Sequence, residues 1–206
     1  MHYPPDFKSA ALALCEAGRF IDSKGWVPAT SGNFSMLLQD GTIAITTSGK
    51  HKGRLQPDDI MLINSLANAM DGKKPSAEAV LHTSLYLRSH TIKAILHPHS
   101  INAVLISKCF ENEIVFENYE ILKAFHSIKT HEARITVPIF ANDQNIPRLA
   151  GLIDRYLDTM NNCFGYIIAG HGLYTWGESI AEALRHLEAL DYLFDCELRL
   201  RGVNQP

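Results

Sequence analysis

The sequence predicts a three-layer α/β/α sandwich around a largely antiparallel sheet. Short apolar runs of strand length alternate with segments whose apolar residues recur at helical spacing. An Asp-Gly dipeptide between two such runs marks a hairpin, which sets neighbouring strands antiparallel. With 206 residues and 46% apolar composition the chain can bury one sizeable core, so residues 1–206 are read as a single domain.

The elements follow in chain order. Asp6 is placed to cap a first helix, in which Phe7, Ala10, Ala11, Leu14 and Ile21 keep helical spacing until Gly25 ends it. Residues 34–38 and 42–46 flank Asp40-Gly41, the pair a type I′ turn favours because both central residues need positive φ. Residues 60–63 form a short strand. Ser76 caps a helix running to about Arg88, and the strand 92–97 leads into a helix that Ser100 caps. Residues 114–116 are strand-like, 134–140 are a strand, 146–160 a helix and 165–169 a strand. Ser179 and Glu182 form a capping box for a long final helix through Leu200, apolar on more than one side. Periodicity gives no strand order. There is no internal repeat, low-complexity segment or linker.

A net charge of −3 and a pI near 6.3 offer no basic field for a nucleic acid backbone. No apolar stretch reaches membrane-spanning length, and the first eight residues lack a signal-peptide apolar region, so a soluble cytoplasmic protein is expected. Cys15, Cys109, Cys163 and Cys196 contain no Cys-x-x-Cys pair, which argues against a thiolate zinc site and a disulfide framework; they are expected as reduced core residues.

The strongest chemical signal is His97-Pro98-His99 at a strand end. Alternate strand residues share a face, and Pro98 cannot extend the ladder, so two imidazoles leave together and can share a divalent ion. An open catalytic site needs a third ligand, and His171, between two glycines after an apolar strand, is the best candidate. His82 and His186 lie inside helices, and His2, His51, His90, His126 and His131 have no paired neighbour. Imidazoles suit zinc, iron, nickel and copper, and added carboxylate oxygens would admit manganese. Thr30-Ser31-Gly32-Asn33 and Thr47-Ser48-Gly49-Lys50 flank the hairpin and offer N–H groups and hydroxyls to a phosphate, with Lys52 or Lys50 as a point charge. Ser76, at a helix N-terminus, is a further anion contact. Glu78 and Glu120 are the carboxylates considered for proton transfer, a role that requires burial to raise their pKa.

Taken together, these motifs resemble the class II aldolase and epimerase family over nearly the whole chain. The carrying segments are residues 28–35, 47–50 with 52–55 and 57–59, 74–78, 97–100, and 169–172 followed by Trp176-Gly177. Residues 48–57, Tyr119-Glu120 with 123–125, and 137–140 with 142–144 look most like the methylthioribulose-1-phosphate dehydratase branch. The resemblance implies a zinc enzyme of methionine salvage that removes water from 5-methylthioribulose 1-phosphate to give 2,3-diketo-5-methylthiopentyl 1-phosphate. It implies one Zn2+ per subunit on His97, His99 and His171, and a phosphate among Ser31, Gly32, Asn33, Ser48, Gly49, Lys52 and Ser76. It also implies Glu120 as acid/base, with Glu78, the position aldolase members use, as a base or substrate contact. Symmetric homotetramers with sites near subunit interfaces are expected. An aldolase or 4-epimerase acting on another ketose phosphate is the nearest competing reading, and a non-catalytic interaction module of this fold the more distant one.

Overall fold

The computed structural model describes residues 3–160 and 162–202. Its helices are α1 (Phe7–Ser23), α2 (Ala79–Arg88), α3 (Ile101–Cys109), α4 (Ile146–Leu157) and α5 (Ile180–Leu200). Its strands are β1 (Asn33–Leu37), β2 (Ile43–Thr46), β3 (Ile60–Ile63), β4 (Ala94–His97), β5 (Glu113–Glu117), β6 (Arg134–Phe140), β7 (Gly165–Ile168) and β8 (Gly172–Gly177). Short 3-10 turns span Lys52–Arg54, Pro57–Asp59 and Glu120–Ala124. The sheet order is β3-β2-β1-β4-β8-β7-β6-β5, antiparallel throughout except for β6 beside β7.

Alternation along the strands divides the apolar residues between two cores. Ala44, Leu62, Leu96, Ile167 and Leu173 face α1, α3 and α5, while Ile43, Ile45, Met61, Ile95 and Tyr166 face α2 and α4. The layers are therefore helix, sheet, helix, as the sequence predicts.

Several local expectations change. Among the turn residues only Gly41 has positive φ, at +83°, so the hairpin closes not as type I′ but as a three-residue loop. Gly41 N donates to Leu38 O and Leu38 N to Thr42 O, the pattern of a type I turn ending in a glycine bulge. Asp40 instead accepts from the Thr42 N–H and hydroxyl. The Asp6 side chain does not cap α1; its Oδ2 accepts from Gln39 N at 2.9 Å. α2 starts two residues later than a Ser76 cap requires, with Glu78 at its N-cap position and Ser76 Oγ accepting from Glu78 N. Ser100 and Ser179 do cap α3 and α5. Glu182 closes its box on Glu178 N, one residue earlier than expected. β8 was not anticipated. Of the four cysteines only Cys15 is buried and Cys109 is exposed, which corrects the expectation of four core thiols. Among the described residues no helix is long and apolar enough to cross a membrane. His2 lies outside the described residues.

Candidate metal centre and anion recess

β1, β4 and β8 are adjacent at the middle of the sheet, and their ends build the site. His97 is the last residue of β4, paired with Asn33 at the start of β1. His171 occupies the turn between β7 and β8. The segment between His97 and α3 is held from both sides, by His99 N donating to Trp26 O (2.8 Å) and Leu173 N donating to Pro98 O (3.1 Å). Two glycines permit this closeness. A Cβ on Gly172 would lie 2.4 Å from Pro98 O and 3.0 Å from both the His97 and His99 rings, and one on Gly32 would lie 2.4 Å from His97 O.

The structure brings His97, His99 and His171 together, with one ring nitrogen from each within 4.8 Å of the others. Nε2 of His97 is 3.0 Å from Nε2 of His99 and 3.4 Å from that of His171. His97 is fully buried and stacks on Tyr174 with centroids 4.0 Å apart. Its Nδ1–H donates to Leu173 O at 2.9 Å, because a carbonyl can only accept, so its Nε2 presents a bare lone pair to the other two rings. Burial pushes the His97 imidazole well below its usual range and lowers that of His99 to about 4. Neutral imidazoles, one with its tautomer fixed by a backbone carbonyl, fit a divalent cation such as zinc.

Glu78 joins this centre. Its Oε1 lies 3.0 Å from His171 Nε2 and its Oε2 3.6 Å from His97 Nε2, while Asn33 Nδ2 donates to Oε2 at 2.6 Å. Burial opposes ionisation of this carboxyl, but the hydrogen bond from His171, the neighbouring imidazoles and the Asn33 amide outweigh it and hold the pKa well below the usual carboxylate range.

Beside the histidines is a recess of about 190 Å³ lined by residues 30–33 and 46–49 together with Ser76, Glu78 and His99. Ser31, Gly32, Asn33, Ser48, Gly49 and Ser76 all contribute to it. Gly32 and Gly49 have φ of +75° and +77°, conformations that L side chains rarely adopt. The buried hydroxyls of Ser31 and Thr47 have no hydrogen-bond partner there among the described residues. Lys52 stands apart from the lining: its ammonium donates to Thr30 O (2.8 Å) and Lys50 O (2.6 Å), tying the two loops together. Lys50 pairs with Asp59 at 2.9 Å.

Glu120 is not in this neighbourhood. It opens the 3-10 turn before Phe125, its side chain 74% exposed and paired with Lys123 at 2.6 Å, on an outer groove shared with Tyr119, Ile121 and Tyr192. The Lys123 ammonium draws its pKa down, so neither Glu78 nor Glu120 has the raised pKa expected from the sequence: ion-pair and hydrogen-bond partners keep both carboxyls ionised.

Sequence reasoning missed His82 and Tyr174. His82 lies four residues after Glu78 on one helix face, a spacing that could have drawn it out. Tyr174 needed β8 to be recognised.

A family model for the class II aldolase and adducin N-terminal domain matches residues 12–198. The chain is 56% identical to methylthioribulose-1-phosphate dehydratase of Methylococcus capsulatus, covering 97% of this chain and 98% of the relative. It is 49% identical to the protein of that name from Pseudomonas syringae pv. syringae, covering 94% and 96%. Among solved structures, YgbL of Escherichia coli superposes with a TM-score of 0.80 at 22% identity over 94% of this chain and 90% of that one. L-fuculose-1-phosphate aldolase of Thermus thermophilus superposes with a TM-score of 0.74 at 24% identity, covering 96% and 100%. At such identities these structures attest to the fold. The chain belongs to the class II aldolase and adducin N-terminal domain family.

Proposed function

We propose that the protein is a methylthioribulose-1-phosphate dehydratase, a hydro-lyase that converts 5-methylthioribulose 1-phosphate to 2,3-diketo-5-methylthiopentyl 1-phosphate and water in methionine salvage. Near-full-length identity to dehydratases supports the reaction. The observation that carries it is the convergence of three imidazoles beside a hydroxyl-lined recess.

His97, His99 and His171 would hold one Zn2+. When bound, zinc supplies Lewis acidity toward a carbonyl and its neighbouring hydroxyl and stabilises the negative charge that develops when a carbon-bound proton leaves. The recess takes the phosphate: Ser31 and Thr47 offer unpartnered hydroxyls, Gly32 and Gly49 bring the backbone close, and Ser48 and Ser76 complete the wall. Lys52 adds positive charge behind the loops it ties. Fixing the phosphate orients the sugar carbons toward the histidines. Glu78, anionic and adjacent to two of them, is placed to take the carbon-bound proton. Asn33 spends its amide on Glu78 and His82, so it serves the recess chiefly by shaping it.

Glu120 is the group we assign to protonating the departing hydroxyl, which requires that it leave the Lys123 ion pair for a buried place that raises its pKa. Its exposed position on the chain requires that a neighbouring subunit deliver it, which accords with a cytoplasmic homotetramer whose sites lie near subunit interfaces. Mixing Glu120→Gln and Glu78→Gln subunits would then regenerate activity that neither variant has alone. No recovery after subunit exchange would refute delivery across an interface.

The position of Glu78 is also what an aldolase or 4-epimerase would use. Incubating zinc-loaded protein with methylthioribulose 1-phosphate and following products by mass decides between them. Formation of the diketone, lighter by one water, is expected; cleavage into two fragments or an isomer of unchanged mass would overturn the dehydratase.

A further inference from the structure

His82 has no part in the chemistry above, yet it is fully buried in α2 one turn after Glu78 with both ring nitrogens engaged. Nδ1 lies 2.7 Å from Ser35 Oγ, and Nε2 is hydrogen-bonded to Asn33 Oδ1. One fixed end sets the direction of every bond. The Glu78 carboxylate can only accept, so the Asn33 atom 2.6 Å from it must be the amide nitrogen. Asn33 Oδ1 must then receive the His82 Nε2–H. Burial keeps His82 neutral, lowering its pKa to about 4, so Nδ1 is bare and accepts the Ser35 hydroxyl hydrogen. Ser35 Oγ in turn accepts from the Tyr86 hydroxyl at 2.8 Å. From Tyr86 to Glu78 each donor meets one acceptor, all with the same polarity.

We infer that His82 is a positioning residue that, through Asn33, holds Glu78 with one oxygen on the amide and the other toward His171. Without the imidazole N–H, the Asn33 oxygen is buried and unpaired, and the amide is free to turn that oxygen toward Glu78. Two acceptors then repel, and the carboxylate leaves the place where its charge favours a cation. The kinetic part of this inference rests on the dehydratase reading; the metal-binding part does not.

The test uses full-length protein carrying His82→Leu, His82→Gln, Glu78→Gln or the pair His82→Leu with Glu78→Gln. Zinc Kd is measured by chelator competition, and kcat and KM with methylthioribulose 1-phosphate. His82→Leu is expected to weaken zinc about 10-fold and lower kcat by about 10-fold, with KM held within about two-fold. His82→Gln keeps an N–H for Asn33 Oδ1 and recovers most of both losses. Adding His82→Leu to Glu78→Gln leaves zinc affinity unchanged, because the carboxylate it orients is already gone. Wild-type zinc affinity in His82→Leu, or losses that multiply in the double variant, would overturn the inference. If His82→Leu does not fold, Ser35→Ala, which removes the donor to Nδ1, decides: a zinc loss of about three-fold that vanishes beside Glu78→Gln supports it, and no loss overturns it. A wild-type protein that shows this zinc pattern but does not dehydrate the substrate would refute the reaction alone.

Discussion

Lys52 poses a quantitative problem, because the residue is 1% exposed and no carboxylate among the described residues pairs with its ammonium directly. Burial lowers its pKa from 10.5 to about 8, with the charge of Glu78 acting in the other direction. That drop corresponds to about 3 kcal/mol against the charged form. In Lys52→Met the penalty disappears, while the Thr30 and Lys50 carbonyls lose their donor, at a cost of about 1–3 kcal/mol each. The two effects oppose at similar size, leaving at most about 3 kcal/mol, so calorimetry should show the unfolding midpoint moving by less than about 10 °C. Binding responds differently. With the positive charge behind the recess removed, KM for the phosphorylated substrate should rise about 10- to 100-fold, or about 1.4–2.7 kcal/mol, while zinc content stays at the wild-type level. The pH dependence supplies a second signature. Between pH 8 and 10.5 the unfolded chain keeps a proton that the folded protein releases, so this residue makes stability rise with pH across that window and Lys52→Met removes the rise. A KM within two-fold of wild type would show that the charge does not serve the phosphate, and a loss of zinc would show that the lysine supports the histidines instead.

His97→Ala or His99→Ala should abolish zinc retention through dialysis, measured by atomic absorption, whereas Glu120→Gln should keep zinc and lose turnover by about 100-fold or more. Equal zinc loss in all three would remove the case for Glu120 as a proton donor. Gly32→Ala must adopt a positive φ at a cost of about 1–2 kcal/mol and also force its Cβ against His97 O, so urea unfolding should register about 3 kcal/mol or more of lost stability, with weakened zinc. Unchanged stability would mean the loop relaxes freely away from β4. For the zinc-free protein, burial lowers the pKa of His82 and His99 to about 4, so the folded state binds fewer protons than the unfolded chain below pH 6.5. Its urea midpoint should therefore fall as pH is lowered from 6.5 toward 4; a flat profile would mean these rings are solvated.

How far the sequence reached depended on the range of the interaction behind each feature. β3 and β6 have the predicted limits, because their apolar runs are bounded by local turn residues. The caps at Ser100 and Ser179 likewise require only a side chain and an N–H three residues away. The hairpin turn failed because Asp40 has a competing use for its carboxylate in Thr42, and the Asp6 cap failed because Gln39, distant in sequence, takes it. In the site, periodicity showed that His97 and His99 leave one strand end, but the burial that makes His97 a neutral acceptor depends on tertiary packing, including the Tyr174 ring of β8 stacked on it. Glu78 and Glu120 were both legible as carboxylates. Their separation into an inner and an outer position was not, because it depends on which way two loops fold over a sheet.

The centre draws on residues as far apart as Asn33 and His171, joined only where β1, β4 and β8 lie side by side. His97 and His99 are two residues apart, but His171 reaches them only through the packing of β8 against β4, so the full set exists only in the folded sheet. A metal ion that needs the full set therefore recognises only the finished molecule, and loading it raises the unfolding temperature in proportion to the logarithm of free metal above its Kd. In the cell, supply of the ion would then govern how long each copy survives as well as how fast it works.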